Sequence, residues 1–286
     1  MQRIFVGDVQ GCADELDALL ERVVAELGDA AELWWVGDLV NRGPDNLRVL
    51  RRVREWVDAG RGHCVLGNHE LALLRIALGL ETLGKRDTTG DVLAAPDADD
   101  WIDWLRRLPL VRDGTLGRQR FAMVHAATHP DWELPELLRR AHGVEQRLRA
   151  DRGELRALLS GAGKPGDDRD VLARLLHCRS VNAEGGWSEQ PPEQAPPGYE
   201  PWHRVWSRRT PGFGVVYGHW SLQGLHVAPG LRGLDTGCVH HGRGRDGALT
   251  AWLPDASSPT PFDVPDDGFW QIPARRVYYG TGASRS

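Results

Sequence analysis

Three short runs decide how this chain is read: Gly7-Asp8-Val9-Gln10-Gly11, Gly37-Asp38-Leu39-Val40-Asn41-Arg42-Gly43 and Gly67-Asn68-His69-Glu70. Each follows an apolar stretch, Arg3 to Val6, Leu33 to Val36 and His63 to Leu66, which reads as a buried strand. Between the first two, Leu16, Leu19, Leu20, Val23, Val24 and Leu27 recur at helical spacing, with Asp14 as the expected N-cap and Gly28 just past the end. Leu47, Leu50, Val53 and Val57 mark a second helix that Gly60 closes. Such alternation predicts parallel strands joined by right-handed crossovers. Asp8, Asp38 and Asn68 stand 30 residues apart, one strand-helix-strand unit each. Parallel strands then deliver all three to the carboxyl edge of one sheet, where open α/β sheets bind ligands.

Two later strands end in the same manner, in Val124-His125-Ala126 and in Tyr217-Gly218-His219-Trp220. Asp97 to Leu108 reads as a helix and Phe121 to Val124 as a strand; Leu134 to Cys178 is helical and Arg-rich. From Gly185 to Gly214, Pro191, Pro192, Pro196, Pro197, Pro201 and Pro211 forbid long regular elements. Strands resume at Val215 to Tyr217, Leu231 to Leu234 and Leu249 to Leu253, and the last half-dozen residues are expected to fray. The expected division is a core of 1–129 and 213–286 with a helical and Pro-rich lid inserted at 130–212.

Two carboxylates, an amide and two imidazoles at one rim make a poor structural core and a good site for two divalent ions. Ions about 3.5 to 4 Å apart generate a nucleophile and clamp both ends of an in-line phosphoryl displacement. Holding two cations that close requires a shared carboxylate, and Asp38, the middle ligand in chain order, is the expected bridge. Arg42, four residues on, is placed to reach a phosphoryl oxygen. His69, beside Asn68, is placed for proton transfer rather than ligation.

In the order GDxxG, GDxVxRG, GNHE, HA and GHW, these runs resemble the metallophosphoesterases related to phosphoprotein phosphatases. Within that superfamily the chain is similar to the bacterial symmetrical diadenosine (bis(5′-nucleosyl)) tetraphosphatases. The likeness rests on Gly7 to Cys12 followed by Asp14-Glu15-Leu16, on LAAPDAD at Leu93 to Asp99 and on WLRRLPL at Trp104 to Leu110. Pro201-Trp202 and Leu234-Asp235-Thr236-Gly237-Cys238 extend it, so that it spans roughly Arg3 to Leu253. The resemblance implies an α/β metallophosphoesterase core of two packed mixed β-sheets flanked by helices. It implies one ion held by Asp8, Gln10 and Asp38 and a second held by Asp38, Asn68, His125 and His219, with His69 and Arg42 acting on the phosphoryl group. Arg174 sits where the family has a second basic residue ahead of its Cys, and Arg42, Arg174, Trp202 and Asn41 are the expected substrate-binding residues.

The implied reaction is metal-dependent hydrolysis of diadenosine tetraphosphate into two ADP. Phosphoprotein phosphatases carry His at the Gln10 position and Asp at the Asn41 position. A Gln oxygen makes the first site all-oxygen, which tilts the metal towards manganese, with cobalt or magnesium as alternatives. Competing readings are a Ser/Thr phosphoprotein phosphatase, a hydrolase of nucleoside-tetraphosphate caps on RNA 5′ ends, and a weakened nucleotide-binding sensor, the last motivated by Gln10 and Asn41. The expected partner is a dinucleoside polyphosphate, with no stable protein partner.

Composition narrows the classes further. The 286 residues carry 35 Lys plus Arg against 40 Asp plus Glu, a net charge of −5, too mild an imbalance for a nucleic-acid scaffold. With 41 % hydrophobic and 26 % charged residues the chain is neither disordered nor fibrous. No apolar run approaches the ~18 residues of a membrane span, and Asp8 interrupts any signal-peptide core, so the expectation is a soluble, cytoplasmic protein. Cys12, Cys64, Cys178 and Cys238 form no CxxC pair and read as reduced thiols. Trp202, Trp206 and Trp220 offer faces for adenine or for packing. His240 and His241 read as solvated loop residues, and His177 and His203 as packing residues.

Overall fold

Strict alternation along the first strands sets the architecture of the computed structural model, which describes residues 1–161, 163–209 and 212–278. In β1 (Gln2–Val6), Ile4 and Val6 face one apolar cluster and Phe5 the other; in β2 (Ala31–Trp35), Leu33 and Trp35 oppose Trp34 in the same way. Both strands are therefore buried on two faces, as parallel strands are. Helices α1 (Ala13–Leu27) and α2 (Asn46–Asp58) supply the crossovers, and β3 (Gly62–Cys64) leads into α3 (Asn68–Ala77). The parallel order β1-β2-β3 agrees with the strand-helix alternation of the sequence. Asp14 is not a cap: α1 starts at Ala13, and Asp14 lies in the first turn, where it suits the helix dipole and pairs with Arg48 at 2.9 Å and Arg276 at 2.6 Å.

The chain continues through α4 (Gly90–Leu93), α5 (Ala98–Leu105) and the hairpin β4 (Val111–Leu116) and β5 (Gln119–Val124). Three helices follow, α6 (Leu134–Arg149), α7 (Arg152–Leu159) and α8 (Asp168–His177). The Pro-rich stretch forms a small sheet of β6 (Ser180–Val181), β7 (Trp187–Ser188) and β8 (Glu200–Pro201), then α9 (Trp202–Arg208). The remaining strands are β9 (Gly214–Tyr217), β10 (His226–Ala228), β11 (Leu231–Gly233), β12 (Ala248–Trp252) and β13 (Phe269–Pro273). Strands β4, β10 and β13 carry no uninterrupted apolar run, because each is the edge of a sheet and exposes one side.

Two mixed five-stranded sheets result, ordered β13-β12-β1-β2-β3 and β10-β11-β9-β5-β4. They pack through an aromatic layer in which Phe5 meets Phe121 edge-on at 5.3 Å and Trp34 and Trp252 at 5.6 and 5.3 Å. The helices cover the outer faces through a second cluster, to which Leu137, Val144 and Leu175 of the 130–212 segment also belong. Among the described residues no helix is long and apolar enough to cross a membrane. All four cysteines are buried and free, although Cys12 and Cys238, distant in sequence, lie side by side with Glu15. The terminal half-dozen residues and Pro211 fall outside the described residues.

Candidate metal centre

The loops that follow β1, β2 and β3 are knitted together by the backbone. The amides of Val9 and Gln10 donate to Asp38 O at 3.0 and 2.8 Å, and Gly43 N–H donates to Gln10 O at 2.8 Å. Glu70, fully buried at the start of α3, braces the second loop. Its carboxylate accepts from the amides of Asp38 (2.9 Å), Leu39 (2.8 Å), Val40 (3.1 Å) and Gly67 (2.9 Å). Burial and the nearby Asp38 push the Glu70 carboxyl up to about 8, against the pull of these amide donors. Close approach explains two glycines: a Cβ on Gly67 would strike Asp38, and one on Gly218 would strike the Asp8 carboxylate. Among the described residues, the non-glycine positions with positive φ are Gln10, Asp38, Asn41, Arg42 and His219. Every one was singled out in the sequence as a site residue, and left-handed strain of this kind gathers at functional sites.

At the centre, Asp8, Asp38 and His125 bring ligand atoms within 4.8 Å of one another. His125 Nδ1 lies 2.9 Å from Val36 O and His219 Nε2 lies 3.2 Å from His177 O. Burial holds both imidazoles below their ordinary range, so each is neutral with its one proton on the nitrogen that donates to a carbonyl. The lone pairs left over, on His125 Nε2 and His219 Nδ1, stand 2.9 and 2.8 Å from Asn68 Oδ1. Three acceptors thus face one another, an arrangement a cation satisfies and a proton does not. His177 is the last residue of α8, so the carbonyl that orients His219 is one of the helix-end groups without an intrahelical partner.

The other side is crowded with charge. Burial, then Asp235 and Asp38, raise the Asp8 carboxyl well above its usual value, and burial raises Asp235 to about 7. For Asp38 burial acts in the same direction, but His125, His69 and the His69 amide outweigh it and hold the carboxyl low. Three buried carboxylates with this mutual repulsion fit a divalent cation, and the oxygen-rich donor set fits a hard one. Gln10 stands beside Asp38, with Nε2 3.3 Å from Asp38 Oδ2. The ligating atom expected from the sequence, Oε1, is the other end of the same amide.

Around this centre His69 keeps Nε2 3.7 Å from Asp38 Oδ2, and burial lowers its basicity. Asn41 Nδ2 contacts His69 Nδ1 at 3.0 Å and also donates to Asp87 Oδ1 at 3.0 Å, while Arg42 Nη1 meets the same Asp87 oxygen at 2.9 Å. Asp87 was not foreseen; it sits in a polar loop with nothing in the sequence to tie it to Asn41. Arg179 was missed as well. It donates to Glu189 O at 2.7 Å and to His219 O at 3.4 Å, and its half-buried guanidinium lies near enough to Asp235, Asp38 and Asp8 to feel their charge. Its position directly after Cys178 was the available signal. His240, expected to be solvated, is half-buried within reach of His69 and Arg42, and burial pushes it down to about 4.

Two expected substrate contacts are enclosed in this structure. Arg174 is buried, bonds Gly185 O at 2.6 Å through one nitrogen and leaves Nε and Nη1 without a hydrogen-bond partner among the described residues; its titratable neighbours are Cys178, Asp170 and Tyr199 rather than the site carboxylates. Trp202 is 1 % exposed and packs edge-on against Tyr217 at 5.0 Å, which leaves no face for a base; Trp206 is equally enclosed. Trp220 is half-buried.

The family profile of the Calcineurin-like phosphoesterases matches residues 1–178. A Ralstonia nicotianae protein named symmetrical bis(5′-nucleosyl)-tetraphosphatase is 41 % identical over 251 residues, which cover 83 % of this chain and 86 % of that one. A Pseudomonas putida protein of the same name is 37 % identical over 94 % of this chain and 96 % of its own. Among solved structures, a candidate diadenosine tetraphosphatase superposes with a TM-score of 0.63 over 96 % of this chain and 93 % of that one at 23 % identity. A Saccharomyces cerevisiae serine/threonine phosphatase reaches 0.54 over 97 % of this chain and 80 % of its own at 13 % identity; at such identities the likeness is one of fold.

Proposed function

The chain belongs to the calcineurin-like phosphoesterases and, within them, to the symmetrical bis(5′-nucleosyl)-tetraphosphatases; from that premise we propose that it hydrolyses diadenosine tetraphosphate at the central anhydride to give two ADP. The observation that carries this reading is the convergence of Asn68 Oδ1, His125 Nε2 and His219 Nδ1 on one point beside Asp38 and Asp8. Asp8, Gln10 and Asp38 would hold one divalent ion, and Asp38, Asn68, His125 and His219 the second. When bound, the two ions supply an acidified water and neutralise charge on the reacting phosphoryl group. Manganese suits the mixture of carboxylate oxygens and imidazoles, with cobalt or magnesium as alternatives.

The protein's own groups do the rest. Arg42, held by Asp87, and Arg179, held by two carbonyls, are placed to take nonbridging oxygens of the central phosphates. Asn41 donates to His69 Nδ1, so the neutral imidazole keeps its proton on Nε2 and offers it to the oxygen of the departing ADP. The water oxygen becomes bonded to phosphorus and its proton passes to solvent, the central bridging P–O bond breaks with its electron pair going to the departing ADP, and that ADP leaves as a phosphate anion needing from His69 only a hydrogen bond and not a full proton. The segment 130–212 acts as a lid, and through the His177 carbonyl it also orients one ligand. Four buried free thiols suit a cytoplasmic setting.

Product analysis tests the reaction. With manganese, the purified protein should release ADP alone from diadenosine tetraphosphate. ATP plus AMP would refute symmetrical cleavage, and faster turnover of tetraphosphate-capped RNA or of a phosphoserine peptide would reassign the substrate. Tight dinucleotide binding with no turnover would make the protein a sensor.

A further inference from the structure

Helices α3, α7 and α8 and strand β7 do not meet flush. A cavity of about 310 Å³ remains between them, of a size suited to a small organic ligand. Leu71 and Leu158 give it apolar walls, Trp187 an aromatic one, and Arg75 and Arg169 a positive one. The indole is oriented by its bond from Nε1 to Asp170 Oδ1 at 2.7 Å, and Arg169 is held at the wall by the carbonyls of Leu158 (3.2 Å) and Ala157 (2.6 Å). Among the described lining residues the one acid, Asp170, is thus engaged with the tryptophan, while Arg75 is paired with Glu81 beyond the wall at 3.2 Å and Arg169 meets only carbonyls. The cavity adjoins the metal centre through one side chain: His177 lines it, and the His177 ring stands 6.3 Å from that of His219.

We propose that this cavity is a nucleoside site, seating one adenosine of the dinucleotide against Trp187 and the leucines, with the phosphate next to it drawn to Arg75 and Arg169. The assignment rests on the tetraphosphatase reading. It follows from complementarity: a flat aromatic base needs apolar and π faces, the attached polyphosphate needs cations, and the reacting phosphorus must lie within a phosphate or two of the base. A nucleoside anchored there contributes binding energy remote from the chemistry, which positions the central anhydride.

The test compares the wild type with Trp187→Ala, Trp187→Phe and Ala173→Phe, the last filling the cavity from α8. Kinetics on diadenosine tetraphosphate and on p-nitrophenyl phosphate are paired with calorimetric binding of ADP, after thermal melts show which variants are folded. Trp187→Ala and Ala173→Phe should raise the KM for the dinucleotide and the Kd for ADP about tenfold, since one aromatic contact is worth roughly 1–3 kcal/mol. They should leave kcat/KM on the aryl phosphate within about twofold, and Trp187→Phe should recover most of the loss. Unchanged ADP affinity in folded Trp187→Ala would overturn the site, and so would equal losses on both substrates. Cavity-dependent ADP binding in a wild type that does not cleave the dinucleotide would uphold the site while refuting the reaction.

Discussion

The two sides of the metal centre are prepared in different ways. On the imidazole side, Asn68, His125 and His219 are oriented before any ligand arrives, because the carbonyls of Val36 and His177 fix each ring and its tautomer. On the carboxylate side, Asp8, Asp38 and Asp235 are crowded against their own repulsion, and two of the three are pushed towards protonation. Geometry limits the first side and charge limits the second. One side is built by hydrogen bonds behind the ligand atoms and the other by burial of like charges, although strand ends supply both, β3, β5 and β9 for the first and β1, β2 and β11 for the second.

The harshest way to break the comparison is to remove Asp38, which on the proposed ligation is shared by both ions. Asp38→Asn should lower kcat on diadenosine tetraphosphate by three orders of magnitude or more, well beyond the loss in Gln10→Ala, on the reasoning that bridged ions are lost together. Comparable small losses under saturating manganese would exclude a bridge. Asn68→Ala, His125→Ala and His219→Ala should next reduce bound metal from about two ions to one, measured by elemental analysis; two tightly held ions in all three would remove them from the ligand set.

Charge crowding predicts a pH signature. In chelator, the raised carboxyls bind more protons folded than unfolded, so stability is present at low pH and is lost as pH rises from the unfolded value near 4 to about 7. Manganese should reverse the trend, adding about 2.7 kcal/mol at a hundredfold excess over its Kd. Thermal melts against pH with and without metal report both, and a chelated protein most stable above pH 8 would contradict the crowding.

The smallest expected effect concerns Asn41. On the proposed reaction, a neutral His69 that only lends a hydrogen bond would suffice for ADP but would poorly serve a serine alkoxide, which needs a full proton. Asn41→Asp should therefore raise activity on phosphoserine peptides by a larger factor than on the dinucleotide, and only while His69 is present. Equal gains, or a gain surviving His69→Ala, would sever Asn41 from the leaving group.

What could be read in the sequence was whatever a strand end delivers. Asp8, Asp38, Asn68, His125 and His219 each follow an apolar run, so periodicity alone sends them to one rim. Groups that act through the backbone left no trace: the His177 carbonyl matters because α8 happens to end there, and the residue type is immaterial. Arg174 and Arg179 differ by five positions, and only the path of the chain after α8 decides which guanidinium lies near the carboxylates. Trp202 was ambiguous for a related reason, since apolarity says that an indole is buried without saying whether a substrate or Tyr217 buries it. Strands β4 and β13 were hidden because an edge needs no apolar run.

The five left-handed non-glycine residues carry a consequence for anyone who evolves this enzyme. Gln10, Asp38, Asn41, Arg42 and His219 each occupy backbone that glycine would accept without strain, a relief of about 1 kcal/mol or more per position. A laboratory selection that rewards heat resistance alone would gain that relief with glycine but forfeit the bonds these side chains make, such as those from the Thr88 amide to Asn41 and from Arg42 to Asp87. The strain is therefore held in place by the same side chains the proposed reaction uses, so durability and turnover are not free to be selected apart at these positions.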